Sequence, residues 1–265
     1  MRVSRFLIAS VLIRVLLFSY NLFGYEDWQV IKGEHFLVYF RSDRDFARKV
    51  LNKAEYYYKR IARDLGYERY CNFWLWENRA KIYIYPDRES FLKESKQPSW
   101  SGGMADYTHK KILSFKGSKV FLNKILPHEM THLIFRDYIG FKGEVPLWLD
   151  EGVAMWEEEG KRQEAQRAVK ILLRRGLLLN LNTLTDLDVR RVKDEKLVHI
   201  FYTEAISLVG FMIKRYGADN FVDFCRQLRD GKSVDEALSS AYPSSISGLK
   251  ELEKEWLEYL GEGGS

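Results

Sequence analysis

The sequence is poor in cysteine and proline, with 2 cysteines and 5 prolines among 265 residues. So few cysteines exclude a disulfide-dense mini-scaffold. The low proline count and a hydrophobic content of 46% exclude a disordered or collagen-like chain. No internal repeat, low-complexity segment or Pro/Gly/Ser-rich linker interrupts residues 25–261, so the sequence predicts a single domain there.

The two cysteines, Cys71 and Cys225, are far apart in the sequence and belong to no CxxC or Cys/His cluster. Their spacing therefore predicts no cysteine zinc site. Two alternatives stay open for them, a disulfide in an exported protein or two separate buried thiols.

Acidic residues are scarce at the N-terminus, and this explains most of the net charge of +5. Arg2, Arg5 and Arg14 precede the first acidic residue, Glu26, and the remainder of the chain has a net charge of only +2. Basic pairs elsewhere are dispersed and lack the interleaved aromatic residues on which single-stranded nucleic acid stacks. The composition therefore predicts no nucleic-acid partner.

Long apolar runs are also scarce, and the longest one covers residues 6–23. Arg2 and Arg5 precede it, which is typical of the positive and apolar regions of a secretory signal. Because Arg14 interrupts the run and no small-x-small cleavage site follows, residues 1–24 are predicted to be either a signal peptide or an uncleaved membrane anchor. A buried helix of a cytosolic protein is the alternative.

From this N-terminal pattern we expect an exported protein, either periplasmic, extracellular or anchored to the outer face of the membrane by residues 6–23. No other stretch appears apolar enough in the sequence to span a bilayer, so the N-terminal segment is the only membrane contact that we predict. The sequence predicts no oligomeric state.

Periodicity predicts an α+β fold with a strand-rich first half and a helical second half. Alternating or β-branched runs predict strands at 35–40, 81–85, 104–107 and 111–115, with helices at about 45–65 and from about 89. Apolar spacing then predicts helices near 124–138, 148–175, 201–215, 218–229, 233–241 and 245–260. We expect two lobes with a boundary near residues 120–145.

One pentapeptide contains two of the five histidines, His128-Glu129-Met130-Thr131-His132. On a helix, His128 and His132 project from one face and can both bind a single tetrahedral metal ion. Glu129 would then lie beside the metal, where it could take a proton from a metal-bound water. The alternative is two ordinary histidines on a partly buried helix.

A metal site needs a third ligand. The pattern HExxHxxGxxH is excluded because Phe135 and Tyr138 occupy its glycine and histidine positions. Asp137 would rotate away from the metal. Glu151 is the better ligand, since 18 residues separate it from His132 and it begins a second helix that can pack against the first.

The motif and the WLDEG sequence around Glu151 resemble the gluzincin metallopeptidases, and WLDEGVA is close to the WLNEGFA motif of the zinc aminopeptidases. The resemblance implies a thermolysin-like two-lobed fold and one zinc ion held by His128, His132 and Glu151, with Glu129 as general base. Across residues 30–230 the chain more closely resembles the small bacterial peptidase-MA-like proteins. Residues 25–261 would then be one peptidase-MA-like catalytic domain.

The resemblance extends to two further places. Residues 102–106 (GGMAD) look like the edge strand beside the substrate of the aminopeptidases, but Ala105 replaces the glutamate that holds a free substrate amine. Tyr202 matches the family tyrosine that stabilises the oxyanion, with His199 as the alternative donor and a packing aromatic as the other interpretation of Tyr202. Asp150 and the run 157–159 are candidates for the acid that orients a zinc histidine, although acidic runs often face solvent.

These observations predict a zinc-dependent endopeptidase that cleaves peptides or proteins in a cleft between the lobes, with the substrate along residues 102–107. One alternative is a catalytically silent gluzincin-like module that binds peptides in the cell envelope. Another is a zinc hydrolase of non-peptide amides.

Overall fold

A computed structural model describes residues 28–65, 74–97, 99, 101–139 and 145–262 of the chain. The predicted N-terminal signal or anchor and Cys71 lie outside these residues, so the predictions about them stay predictions. Cys225 lies in the described part and is fully buried.

The first half contains a five-stranded mixed sheet of order β1-β2-β3-β5-β4. Its strands are β1 (Gln29–Lys32), β2 (Phe36–Phe40), β3 (Ala80–Tyr85), β4 (Gly103–Asp106) and β5 (Lys111–Phe115). The three inner strands are parallel, and the two edge strands, β1 and β4, are antiparallel to their neighbours. The edge strand β4 covers most of the GGMAD segment.

Because β2 and β3 are parallel, the chain must cross over between them, and it does so through helix α1 (Arg44–Asp64). The side chain of Asp43 caps this helix by accepting a hydrogen bond of 2.9 Å from the Phe46 amide. The apolar face of α1 packs on the sheet, and a short helix α2 (Arg88–Ser95) follows β3.

The second half is helical. A π-helical turn (Phe121–Ile125) leads into α3 (Leu126–Ile139), and the chain continues through α4 (Leu147–Trp156), α5 (Lys161–Arg174), α6 (Leu181–Asp186), α7 (Glu195–Tyr216), α8 (Ala218–Arg229), α9 (Val234–Ala241) and α10 (Leu249–Gly261). The α+β prediction is confirmed. One hydrophobic core runs from the sheet to the last helix.

Helix α3 lies between the two halves, because it packs against α1 and β4 on one side and α4 on the other. Helix α4 in turn packs closely against α7. A side chain on Gly152 would place its Cβ 2.6 Å from the carbonyl oxygen of Ala205 in α7, so the glycine of the WLDEG motif permits this approach.

Three elements differ from the sequence prediction. The single helix predicted at 148–175 is two helices, because the chain turns between Trp156 and Lys161 with Gly160 in the left-handed region at φ 82°. Strand β1 and helix α6 were not predicted, since four and six residues are too short to show a clear period.

By length and composition alone, α7 is long and apolar enough to cross a membrane. The prediction that no stretch after the N-terminal segment is apolar enough was therefore wrong for this helix. This helix has 22 residues, and 56% of its most apolar window is buried inside the protein. A core helix of a soluble protein meets the same criteria, so α7 is weak evidence for a membrane span.

Candidate metal centre

The pentapeptide His128–His132 lies in the first two turns of α3. Pro127 precedes it in the first turn, where a helix does not need the missing N–H. The hydroxyl of Thr131 donates to the Pro127 carbonyl at 2.7 Å, so this buried polar side chain is satisfied within the helix. Met130 and Leu133 pack into the core and turn the two histidines toward α4.

The structure brings together the three predicted metal ligands. Nε2 of His128 lies 3.2 Å from Nε2 of His132 and 3.9 Å from a carboxylate oxygen of Glu151. One ligand atom from each of the three residues lies within 4.8 Å of the others. The group could hold a metal ion.

The other ring nitrogen of each histidine is bound to a carboxylate. Nδ1 of His132 lies 2.9 Å from Asp150, and Nδ1 of His128 lies 3.0 Å from Glu158. An ionised carboxylate can only accept a hydrogen bond, so each Nδ1 must be the donor. Both sequence candidates for the orienting acid, Asp150 and the run 157–159, therefore contribute a partner.

This arrangement suits a cation. With Nδ1 donating, the Nε2 lone pairs of two neutral imidazoles face each other, which is unfavourable unless a positive charge lies between them. Two nitrogen ligands of a tetrahedral zinc ion are about 3.4 Å apart. The observed 3.2 Å between the nitrogens of His128 and His132 is close to that separation, and Glu151 lies slightly farther out.

The electrostatics of the site also favour a cation. Burial opposes a charge on His128, but its hydrogen bond to Glu158 and the carboxylates around it outweigh burial and raise the pKa of the imidazole. Burial likewise opposes ionisation of Asp150, yet its bond to His132 and the charge of Arg136, 2.5 Å away, lower the pKa of this carboxyl. Asp150 therefore stays ionised and continues to accept the His132 hydrogen bond.

Tyr107 is a site residue that the sequence analysis missed. It follows β4, and burial and the negative charge of nearby Glu129 raise the pKa of its hydroxyl, which therefore stays protonated. Its ring lies edge-on to His132 at 6.0 Å between centroids, and the guanidinium of Arg136 lies 4.7 Å from its ring. Only its position just beyond the glycine-led edge strand could have indicated it.

Tyr202 lies in α7, where it lines a cavity of about 260 Å³ together with His199 and Met155. Burial and the charge of Glu151 raise the pKa of Tyr202 to about 12, so its hydroxyl is protonated and can donate a hydrogen bond. Both candidate donors for an oxyanion thus border one cavity.

A second cavity, of about 590 Å³, reaches Glu129. Its other walls include Gly103 at the start of β4, Gly102 just before that strand, and Ile125 in the π-helical turn. It connects the predicted general base with the predicted edge strand for the substrate.

Asp137, rejected as a ligand from the sequence, accepts hydrogen bonds from Trp74 at 2.8 Å and pairs with Lys110 at 2.7 Å. Glu34, His35 and Glu55 form a second group in which three possible ligand atoms lie close together. There, however, Glu55 already binds both the amide and Nδ1 of His35, at 2.9 and 2.7 Å, and no second histidine is present.

Comparison with known families agrees with this site. No curated protein matches the chain. A family model described as the Peptidase MA superfamily matches residues 76–260, more than two thirds of the chain, and this range contains the HExxH and WLDEG motifs. The chain belongs to the Peptidase MA superfamily.

Proposed function

We propose that the protein is a zinc-dependent metallopeptidase, and specifically an endopeptidase, with zinc held by His128, His132 and Glu151. One observation is the main support: the two Nε2 atoms converge at 3.2 Å while a carboxylate fixes each Nδ1. Carboxylate–histidine pairs of this kind orient the histidine ligands of protein-bound metals. Membership of the Peptidase MA superfamily agrees with this proposal.

A zinc ion in this site would supply Lewis acidity that polarises the peptide carbonyl and lowers the pKa of the attacking water. The residues of the chain provide the proton transfers. Burial raises the pKa of Glu129 against the opposing charges of His128 and His132, which strengthens this carboxylate as a proton acceptor. Glu129 takes a proton from the water and passes it to the leaving amine.

Two tyrosines have separate roles in this proposal. Burial and the charge of nearby Glu129 keep the Tyr107 hydroxyl protonated, so in this proposal it donates to the Glu129 carboxylate and orients that group toward the attacking water. The protonated hydroxyl of Tyr202 donates a hydrogen bond to the oxyanion that forms as the carbonyl is attacked.

The substrate would be a peptide or protein segment in extended form. β4 is an edge strand, so one side of its backbone is open to pair with an added strand. The cavity beside it leads directly to Glu129. Ala105 in this strand offers no carboxylate for a free substrate amine, which supports cleavage within a chain over removal of an N-terminal residue.

The proposal is tested on the purified protein by measuring its zinc content and its cleavage of a denatured protein mixture. We expect about one zinc per chain and cleavage that stops on removal of the metal by a chelator and returns with added zinc. A His132→Ala variant should lose both metal and cleavage. Wild-type protein that folds but binds no zinc would refute the metal site, and a zinc-bound protein that cleaves nothing would favour the silent peptide-binding module.

A further inference from the structure

The turn between α4 and α5 contains three successive glutamates, Glu157, Glu158 and Glu159, which we term the acidic segment. As a run of like charges it is typical of a solvated surface. In the structure the three carboxylates bind three separate sets of partners. Only the middle one, Glu158, binds the metal-site residue His128.

Glu157 is fully buried between two arginines. The Arg60 Nε donates to one carboxylate oxygen at 3.0 Å, and an Arg162 nitrogen donates to the other at 2.8 Å. Arg60 also donates to the backbone carbonyl of Glu157. Arg162 is itself held by Asp64 at 2.6 Å. Both the side chain and the backbone are therefore fixed before the chain reaches Glu158.

Glu159 is fixed on the other side. Its carboxylate accepts hydrogen bonds from Lys53 at 2.8 Å and from the hydroxyl of Tyr57 at 2.7 Å. Its backbone amide donates at 3.1 Å to the carbonyl of Asn123, in the π-helical turn just before α3. Helix α1 thus binds the acidic segment at both ends, and the segment is tied to the element that leads into the HExxH helix.

We propose that Arg60 is a positioning residue of the metal centre, acting with Arg162, Lys53 and Tyr57 to hold the backbone on both sides of Glu158. This inference rests on the proposed function, because its effect is to fix the carboxylate that orients His128. Glu158 comes from a turn and has several rotatable bonds. Its 3.0 Å bond to Nδ1 is maintained only if its backbone is held in place.

Loss of a direct hydrogen-bond partner of a metal ligand costs about 10- to 100-fold in metal affinity. Arg60 acts one residue further away, so we expect Arg60→Met to weaken zinc binding by about threefold to tenfold. Arg60→Lys, which keeps a donor to Glu157, should recover part of this loss. Affinity is measured by chelator competition on the folded protein, well below its unfolding temperature.

The chain offers a matched control in Arg41. Its side chain is 17% exposed, against 15% for Arg60, and it also pairs with a glutamate, Glu94, and stacks on an aromatic ring, that of Trp28. Arg41→Met also removes an ion pair and a ring contact, so it should lower the free energy of unfolding. It should leave zinc affinity unchanged. Equal losses of zinc affinity in the two variants would overturn the proposal. If Arg60→Met fails to fold, Tyr57→Phe removes one hydroxyl from the same arrangement and should still weaken zinc binding.

A double mutant separates positioning from general stability. In a Glu158→Ala background, Arg60→Met should cause no further loss of zinc affinity, because Arg60 acts only through Glu158. Additive losses would contradict the proposal. The visible spectrum of the cobalt-substituted protein, which reports ligand geometry, should change in Arg60→Met and not in Arg41→Met. Failure of wild-type protein to bind zinc would instead refute the proposed function itself.

Discussion

Asp150 lies 2.9 Å from Nδ1 of His132, and the residue that follows it, Glu151, directs its carboxylate toward the Nε2 side of the histidine pair. Two neighbouring residues of α4 thus approach the site from different sides. One is a candidate metal ligand, and the other is hydrogen-bonded to a candidate ligand on α3. The packing of α4 against α3 therefore fixes the ligands and their support together.

We expect Asp150→Asn to weaken zinc affinity by about 10- to 100-fold, because the neutral amide is a poorer partner for the His132 N–H. Asp137→Asn is the control, since Asp137 lies on α3 but pairs with Lys110 and Trp74, which are not part of the candidate metal group. Chelator competition compares the two variants. Unchanged affinity in Asp150→Asn would show that its hydrogen bond does not support the metal.

Tyr202→Phe should lower kcat by about 100-fold with little change in zinc content, since it removes one donor to the oxyanion. The measurement is steady-state kinetics on a fluorogenic peptide. His199→Gln is the comparison, because His199 borders the same cavity. If His199→Gln causes the large loss and Tyr202→Phe does not, the histidine is the donor and the role proposed for Tyr202 is wrong.

Tyr107→Phe should lower kcat/KM by about tenfold, because it removes the hydrogen bond proposed from Tyr107 to the Glu129 carboxylate, and a hydrogen bond to a charged group is worth about 1.5 kcal/mol. Zinc affinity should stay the same, since phenylalanine keeps the ring contact with His132 and only the hydroxyl is lost. Kinetics and zinc titration on the same preparation test both statements. A loss of zinc together with activity would mean that Tyr107 supports the fold of the site rather than Glu129.

The raised pKa of the buried Glu204 carboxyl leads us to expect that the free energy of unfolding depends on pH. Burial raises its pKa to about 8 from the ordinary 4.5, and one of its oxygens has no hydrogen-bond partner among the described residues. Between these values the folded state holds a proton that the unfolded state has released. The free energy of unfolding should therefore fall with rising pH from about 4.5 to 8, by at most about 1.4 kcal/mol per pH unit from this group.

Glu204→Gln keeps an acceptor for the Leu179 amide and removes the titration. Urea unfolding at several pH values should show a flatter dependence in this variant than in the wild type. Identical slopes from pH 5 to pH 8 would contradict the assignment.

The sequence allowed the convergence of His128 and His132 to be predicted, because a helix places residues four apart on one face. Glu151 could be predicted from its motif and from the length of chain available for the turn. Most strands and helices also followed their periodicity, and the α+β arrangement is confirmed.

The groups around the ligands were harder to predict, because they depend on packing between distant segments. Tyr107 is one of 16 tyrosines, and only the approach of β4 to α3 brings it to Glu129. The acidic segment looked like a solvated run, yet its first residue, Glu157, is fully buried against Arg60, which lies 97 positions earlier in the chain. No local pattern contains that information.

The central claim is that Glu129 activates water in a zinc peptidase, and it is tested most directly by comparing the cleavage products of the wild type and Glu129→Gln on a denatured protein mixture. The glutamine variant should retain zinc and lose at least about 100-fold of the cleavage rate at every site that the wild type cuts. A zinc-bound Glu129→Gln variant that produces the wild-type cleavage pattern at the wild-type rate would contradict the account.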